Sequence, residues 1–217
     1  MLSGSRPPPN SPQQAMVLAL VVSFPLGILA ALRPRSLLDR FVSVISLVGQ
    51  SVPSFWLGIM LILVFARQLR WLPSSGSSTW EHMILPSITL AMPLIGILTR
   101  LVRSGLMDVL YEDYIRTARA KGLSNRTVLQ RHAMPDDMLI PVVTVIGLQL
   151  GNLLGGAVIT ETVFAWPGIG RLLVDAIFQR DYPLVQASIL FITASFIFIN
   201  LLVDISYVYI DPRIKLK

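Results

Sequence analysis

The 217-residue chain has no cysteine, which removes disulfide frameworks, thiolate metal sites and cysteine nucleophiles at a stroke. Histidine is nearly as scarce. His82 and His132 stand far apart, and Glu81-His82 is not followed by the second histidine that a zinc-binding helix requires. No G-x-x-x-x-G-K-[ST] stretch occurs, so the backbone cradle for nucleotide phosphates is missing. No nucleophile–base pair, paired-carboxylate site or metal pattern marks a hydrolase, and nothing calls for a cofactor. Charge is also thin: 14% of residues are charged, against about 25% in ordinary soluble domains.

What fills the space is apolar. Hydrophobic residues make up 53% of the chain, and they are gathered into long blocks rather than helical stripes. Five blocks, approximately 15–32, 45–66, 83–102, 139–160 and 186–210, approach the roughly 20 helical residues that cross a bilayer core. The expected fold is all-α: a polytopic helical membrane protein with about five transmembrane helices. Pro25, Pro53, Pro86, Pro93 and Pro141 fall in or at the ends of these blocks, where neighbouring helices satisfy the freed carbonyls and kinks are expected. Residues 1–14 are Pro/Ser-rich and read as an irregular N-terminus ahead of a transmembrane domain over 15–217.

The net charge of +6 would in a soluble protein suggest nucleic acid, but its placement points to a membrane instead. Segments 33–40, 100–135 and 211–217 hold thirteen Arg and Lys, whereas the opposite loops hold four: Arg67, Arg70, Arg171 and Arg180. The positive-inside bias predicts a cytoplasmic C-terminus and an N-terminus outside.

The longest basic segment, about 104–138, is ordered. Asp108, Glu112 and Asp113 precede Arg116, Arg119 and Lys121, matching the helix dipole. Gly122 is suited to the left-handed stop, with Leu123 folding back, and Ser124 to capping a second helix. Tyr111, Tyr114, Ile115 and Ala118 share one face at three- and four-residue spacing. That face predicts docking into a groove on a partner; the alternative is a basic loop against anionic headgroups.

Three further sets stand out. Gly147, Gly151 and Gly155 repeat at four-residue spacing, allowing close helix approach at a pathway wall, a partner contact or within the chain itself. Asp204, one turn after Asn200, is an ionisable group in an apolar block and is read as a hydrogen-bonded or salt-bridged structural residue, with a pathway role as the alternative. From Glu161 to Pro183 an outside segment carries Trp166 and Tyr182, suited to headgroup depth. Pro167, Gly168 and Gly170 force a turn before LLVDAIF, predicting a short re-entrant or surface helix. It reads as an outer-gate docking surface or an interfacial anchor.

DYIRTARAKGLSNRTVLQRHAM (113–134) resembles the cytoplasmic EAA loop of binding-protein-dependent ABC importer permeases. Arg116, Thr117 and Ala118 occupy the E-A-A positions; Ala118 and Gly122 match the general form, and TARAKGL (117–123) matches the dipeptide, oligopeptide and nickel branch. SVPSFWLG (51–58), GAVITETVFAWPGIGRLL (156–173), RDYPLVQ (180–186) and DPRIK (211–215) are similar to that branch too, so the likeness covers roughly 17–217. It implies a plasma (inner) membrane permease subunit for di- or oligopeptides or a related small solute such as a nickel chelate. It also implies a second homologous permease, two cytoplasmic ATPase subunits and an extracytoplasmic solute-binding protein. Tyr114, Ile115, Thr117, Ala118, Lys121, Gly122 and Leu123 would then form the ATPase-coupling loop, with ATP hydrolysis on another chain. Two departures accompany the resemblance: residues 1–14 do not match the extra span and outside loop that precede this region in the family, and Pro135-Asp136-Asp137 replaces an Arg-Asn-like stretch. An ion-gradient-driven secondary transporter or channel fragment is the competing reading; it requires mid-membrane charges and inverted repeats.

Overall fold

A computed structural model describes residues 11–128 and 139–210. Among them every regular element is helical. The order is α1 (Ser11–Leu32), α2 (Leu37–Ser51), α3 (Ser54–Leu61), a π-helical continuation (Ile62–Gln68) and a 3-10 turn (Trp80–Met83). Then follow α4 (Ile84–Leu110), α5 (Asp113–Ala120), α6 (Asn125–Val128), α7 (Leu139–Val163), α8 (Ile169–Gln179) and α9 (Tyr182–Ile210).

Among the described residues three continuous stretches are long and apolar enough to cross a bilayer: Pro12–Leu32, Trp80–Leu110 and Tyr182–Val203; α2 with α3 and its π segment qualifies as a broken pair. α7 covers the fourth block expected from the sequence over 25 residues. Boundaries differ from expectation in several places: α2 begins at Leu37 and α4 runs on to Leu110, into the stretch read as a loop. α1 begins at Ser11, inside the stretch read as irregular, because Pro12 falls in the first turn, where its missing N–H has no intrahelical partner to lose. The block 45–66 is not one helix. It divides at Val52-Pro53, and Pro53 holds an extended conformation (φ −60°, ψ 131°) while its carbonyl accepts from Leu57 N at 3.0 Å. Proline disfavours helical geometry at the residue before it and restarts a helix after itself.

The chain divides into two compact units, each with its own interior. The first comprises 11–18, 52–92 and 151–197 of the described residues. Phe164, Met83 and Leu85 are among its fully buried side chains. A Cβ on Gly58 would stand 3.2 Å from the Phe164 ring, and Gly76 N–H donates to the Phe164 carbonyl at 3.2 Å. His82 Nδ1 lies 2.7 Å from Thr79 Oγ1, closing a capping box on the 3-10 turn.

The second unit comprises 19–51, 93–128, 139–150 and 198–210 of the described residues. α4 is its axis. A Cβ on Gly27 of α1 would lie 2.7 Å from Val102, and one on Gly96 of α4 would lie 2.4 Å from the Ser46 carbonyl of α2; both helices meet α4 at glycine, as lipid-embedded helices do. α2 is inverted relative to a soluble helix. It buries Asp39, Ser46 and Gly49 beside Val42 and exposes Leu37, Phe41, Val44, Ile45 and Val48, because hydrocarbon outside accepts apolar groups and the interior must satisfy polar ones.

Gly96→Val is expected to destabilise the fold by about 1–3 kcal/mol, the usual cost of overpacking, since the obstructing atom is backbone. Melting of detergent-solubilised protein checks this; an unchanged transition would refute the close approach.

Candidate functional site

α4 ends where Tyr111 N and Glu112 N turn back onto the carbonyls of Asp108 (3.2 Å) and Val109 (3.1 Å). α5 starts with Asp113 in its first turn, where a carboxylate complements the N-terminal partial charge. The stop is the one expected from the sequence. Gly122 takes φ +79°, Leu123 N donates to the Ala118 carbonyl at 3.4 Å and Lys121 N to that of Thr117 at 3.1 Å. A Cβ on Gly122 would touch nothing within 4 Å, so glycine is demanded there by backbone conformation rather than space. Ser124 then caps α6, its Oγ accepting from Thr127 N at 3.2 Å.

The docking face predicted from Tyr111, Tyr114, Ile115 and Ala118 is corrected by the burial pattern. Ile115 is 0% and Ala118 5% exposed, whereas Tyr111 is 71% and Tyr114 40% exposed. Ile115 and Ala118 join a cluster with Leu106 and Val109 of α4, Val128 of α6 and Val142 of α7. The reason is reach: the turn at 111–112 brings α5 back beside the last turns of α4, whose apolar side chains need covering. What remains accessible is Tyr111, Tyr114, Thr117, Lys121, Gly122 and Leu123. Arg116 and Asp113 pair at 3.6 Å, both highly exposed, an arrangement worth little in water.

The second candidate segment is the turn between α7 and α8. Ala165 adopts φ +50°, Trp166 N donates to the Glu161 carbonyl at 2.8 Å, and Arg171 Nη1 donates to the Ala165 carbonyl at 2.6 Å. The Glu161 side chain reaches over this turn and accepts from Arg171 N at 3.1 Å and from Gly170 N. It thereby caps the N-terminus of α8. A Cβ on Gly168 would sit 2.1 Å from the Glu161 carboxyl carbon, and one on Gly170 would sit 2.4 Å from Val158 Cα, so both glycines make room for the turn. Pro167 is exposed and Trp166 part-exposed. A cavity of about 330 Å³ opens beside Glu161, Trp166, Phe191 and Ser195. Burial pushes the Glu161 carboxyl above its ordinary range, against the opposing pull of the Arg171 and Gly170 N–H groups.

Gly147 is buried in α7; Gly151 and Gly155 lie on the same helix and Asp204 on α9, their surroundings outside the described residues, and Asn200 is part-exposed. Pro135-Asp136-Asp137, His132 and DPRIK lie outside them altogether. One pair escaped the sequence reading: Asp39 of α2, 4% exposed, is gripped in two places by Arg103 of α4. Its available signal was Ser36-x-x-Asp39 before an apolar run, a helix-start pattern; its partner 64 residues on had none.

A sequence profile described as "Binding-protein-dependent transport system inner membrane component" matches residues 23–216. The glutathione transport system permease protein GsiC of Escherichia coli (strain K12) is 48% identical over 203 residues, covering 94% of this chain and 66% of the relative. The protein of that name from Shigella boydii serotype 4 (strain Sb227) is 47% identical over the same coverage. The chain therefore spans just under two thirds of the length of these relatives. Among solved structures, one titled "Inward facing conformations of the MetNI methionine ABC transporter: CY5 native crystal form" superposes with a TM-score of 0.75 at 18% identity, covering 93% of this chain and 91% of that one. The helical fold is shared.

A carboxyl whose folded pKa is raised binds its proton more readily folded than unfolded. Its contribution to stability is therefore present below the unfolded value and lost as pH rises through the folded one. Relative to Glu161→Gln, the wild-type protein is expected to lose melting temperature as pH rises above the ordinary glutamate range. Parallel pH profiles for the two proteins would contradict the burial of this carboxyl.

Proposed function

The chain belongs to the binding-protein-dependent transport system inner membrane component family, and on that premise we propose that it is the permease subunit of an ATP-driven importer. The observation that carries the reading is the α5–Gly122–α6 hairpin: a short helix anchored by Ile115 and Ala118 in the chain's own core, with Tyr114, Thr117, Lys121 and Leu123 turned outward. An anchored helix with an exposed, mixed aromatic and basic face is suited to a groove on a partner. The partners proposed are two cytoplasmic ATPase subunits for this hairpin, a second homologous permease across the pathway, and an extracytoplasmic solute-binding protein.

The arrangement implies division of labour. ATP chemistry resides on the ATPase subunits, and this chain converts their closure into displacement of α5. Because α5 is packed rather than tethered, displacement passes into the transmembrane helices instead of being absorbed by a loose loop. The hairpin faces the cytoplasm with the C-terminus, as the thirteen-to-four cation bias supports. Gly147, Gly151, Gly155, Asn200 and Asp204 are proposed to pack helices or line the pathway. The Glu161–Trp166–Pro167–Gly168 turn is assigned to the outside by the same charge bias, where substrate arrives. By likeness to the glutathione permeases, the cargo is a small peptide of that kind, or a related small solute such as a nickel chelate.

Co-expression with candidate ATPase, second-permease and binding-protein subunits, followed by affinity purification and uptake of labelled glutathione into proteoliposomes, tests the reading. Gly122→Val forces a β-branched residue to φ +79°, a strain of about 1–3 kcal/mol. It should lower uptake about tenfold or more while insertion stays normal. Wild-type uptake by that variant at equal subunit recovery would remove the hairpin from the coupling mechanism.

A further inference from the structure

Asp39 is held at several points in the second unit. Its carboxylate accepts from Arg103 Nε, from Arg103 Nη2 at 2.9 Å and from Arg35 N at 2.9 Å, while its own N–H donates to Ser36 Oγ at 3.1 Å. It is thus at once the third residue of the α2 capping turn and the acceptor for an arginine of α4. Arg35 sits at φ +63° to make its contribution. A two-pronged guanidinium–carboxylate pair fixes orientation and register in a way that a point-charge contact does not.

Two facts give this pair a mechanical meaning. First, Arg103 lies one turn before Leu106, and Leu106 and Val109 share a cluster with Ile115 and Ala118 of α5; the stretch of α4 that grips Asp39 is the stretch on which the hairpin is mounted. Second, α2 meets α4 in two described places, the Gly96–Ser46 approach and the Asp39–Arg103 pair, while Leu37 (82% exposed) and Phe41 (65%) leave its far side uncovered. At the glycine approach α4 meets the Ser46 carbonyl and the neutral Gln50 side chain, with no charge pair between the described residues of the two helices there. The ion pair is the contact that resists sliding.

We propose that Asp39 and Arg103 are positioning residues that couple α2 to the α4–α5 corner, so that displacement of the hairpin moves α2 with it as one body. This rests on the reading of the hairpin as the ATPase-docking element.

The experiment uses the assembled complex in proteoliposomes. The chain's lack of cysteine allows spin labels at Phe41→Cys on α2 and Glu112→Cys beside α5, both exposed positions outside the proposed docking set. In the otherwise wild-type chain the label-to-label distance should be a single population, equal with and without a trapped nucleotide. In Arg103→Gln it should broaden or shift with nucleotide, and transport per ATP hydrolysed should fall about fivefold at normal subunit recovery. Arg103→Lys, which keeps the charge but loses the fork, should fall between. A nucleotide-dependent distance in the wild-type background overturns the proposal, and this holds even where Arg103→Gln fails to assemble. So does an Arg103→Gln complex with wild-type distance and transport-to-hydrolysis ratio. Failure of the wild-type chain to recruit ATPases or to transport would instead count against the importer reading.

Discussion

Hydrocarbon offers no hydrogen bonds, and from that single property most of this structure follows. Each peptide group inside the bilayer must be satisfied by the chain itself, so the described residues fold into helices and the breaks fall where polar groups find local partners. Pro53 ends one helix and starts another; Ala165 turns the chain with its amide on the Thr162 carbonyl and its own carbonyl taken by Arg171. The same property reverses α2, which turns Leu37, Phe41 and Ile45 outward and Asp39, Ser46 and Gly49 inward.

Because lipid tails are as apolar as leucine, burying leucine does little to draw these helices together, and association relies on close packing and polar pairs. Gly27 and Gly96 bring α1 and α2 against α4. Asp39 and Arg103 add a charge pair whose two partners lie on different helices, with the Arg35 amide as a further donor to the carboxylate. In the turn between α7 and α8 the same economy appears on a smaller scale: one carboxylate, Glu161, occupies the donors that begin α8, and Gly168 and Gly170 are small so that it can reach them. The anchored hairpin and the stapled turn are both held in this way.

Much of this was legible in the residues. Apolar blocks located the long helices; the acid-to-base order from Asp108 to Lys121, Gly122 and Ser124 placed a helix, its stop and the next cap, each a local rule acting within a few residues. The TARAKGL stretch carried the family likeness. The division of the second block at Pro53 was only half visible, since proline in a lipid-facing helix kinks or breaks it according to its neighbours. The split face of α5 was not visible at all: helical spacing grouped Tyr111, Tyr114, Ile115 and Ala118, but which of them is covered depends on where α4 and α7 lie.

The sequence by itself determined that this is an all-helical membrane chain, where its helices stop, and to which family it belongs, because hydropathy, capping and signature blocks are properties of neighbouring residues. The tertiary structure decided which residues hold the hairpin and which stay exposed, that Asp39 meets Arg103, and that Glu161 seals the start of α8. Those are matters of residues distant along the chain being brought within ångströms of one another, and no local pattern encodes the approach of two helices that each could have turned another way.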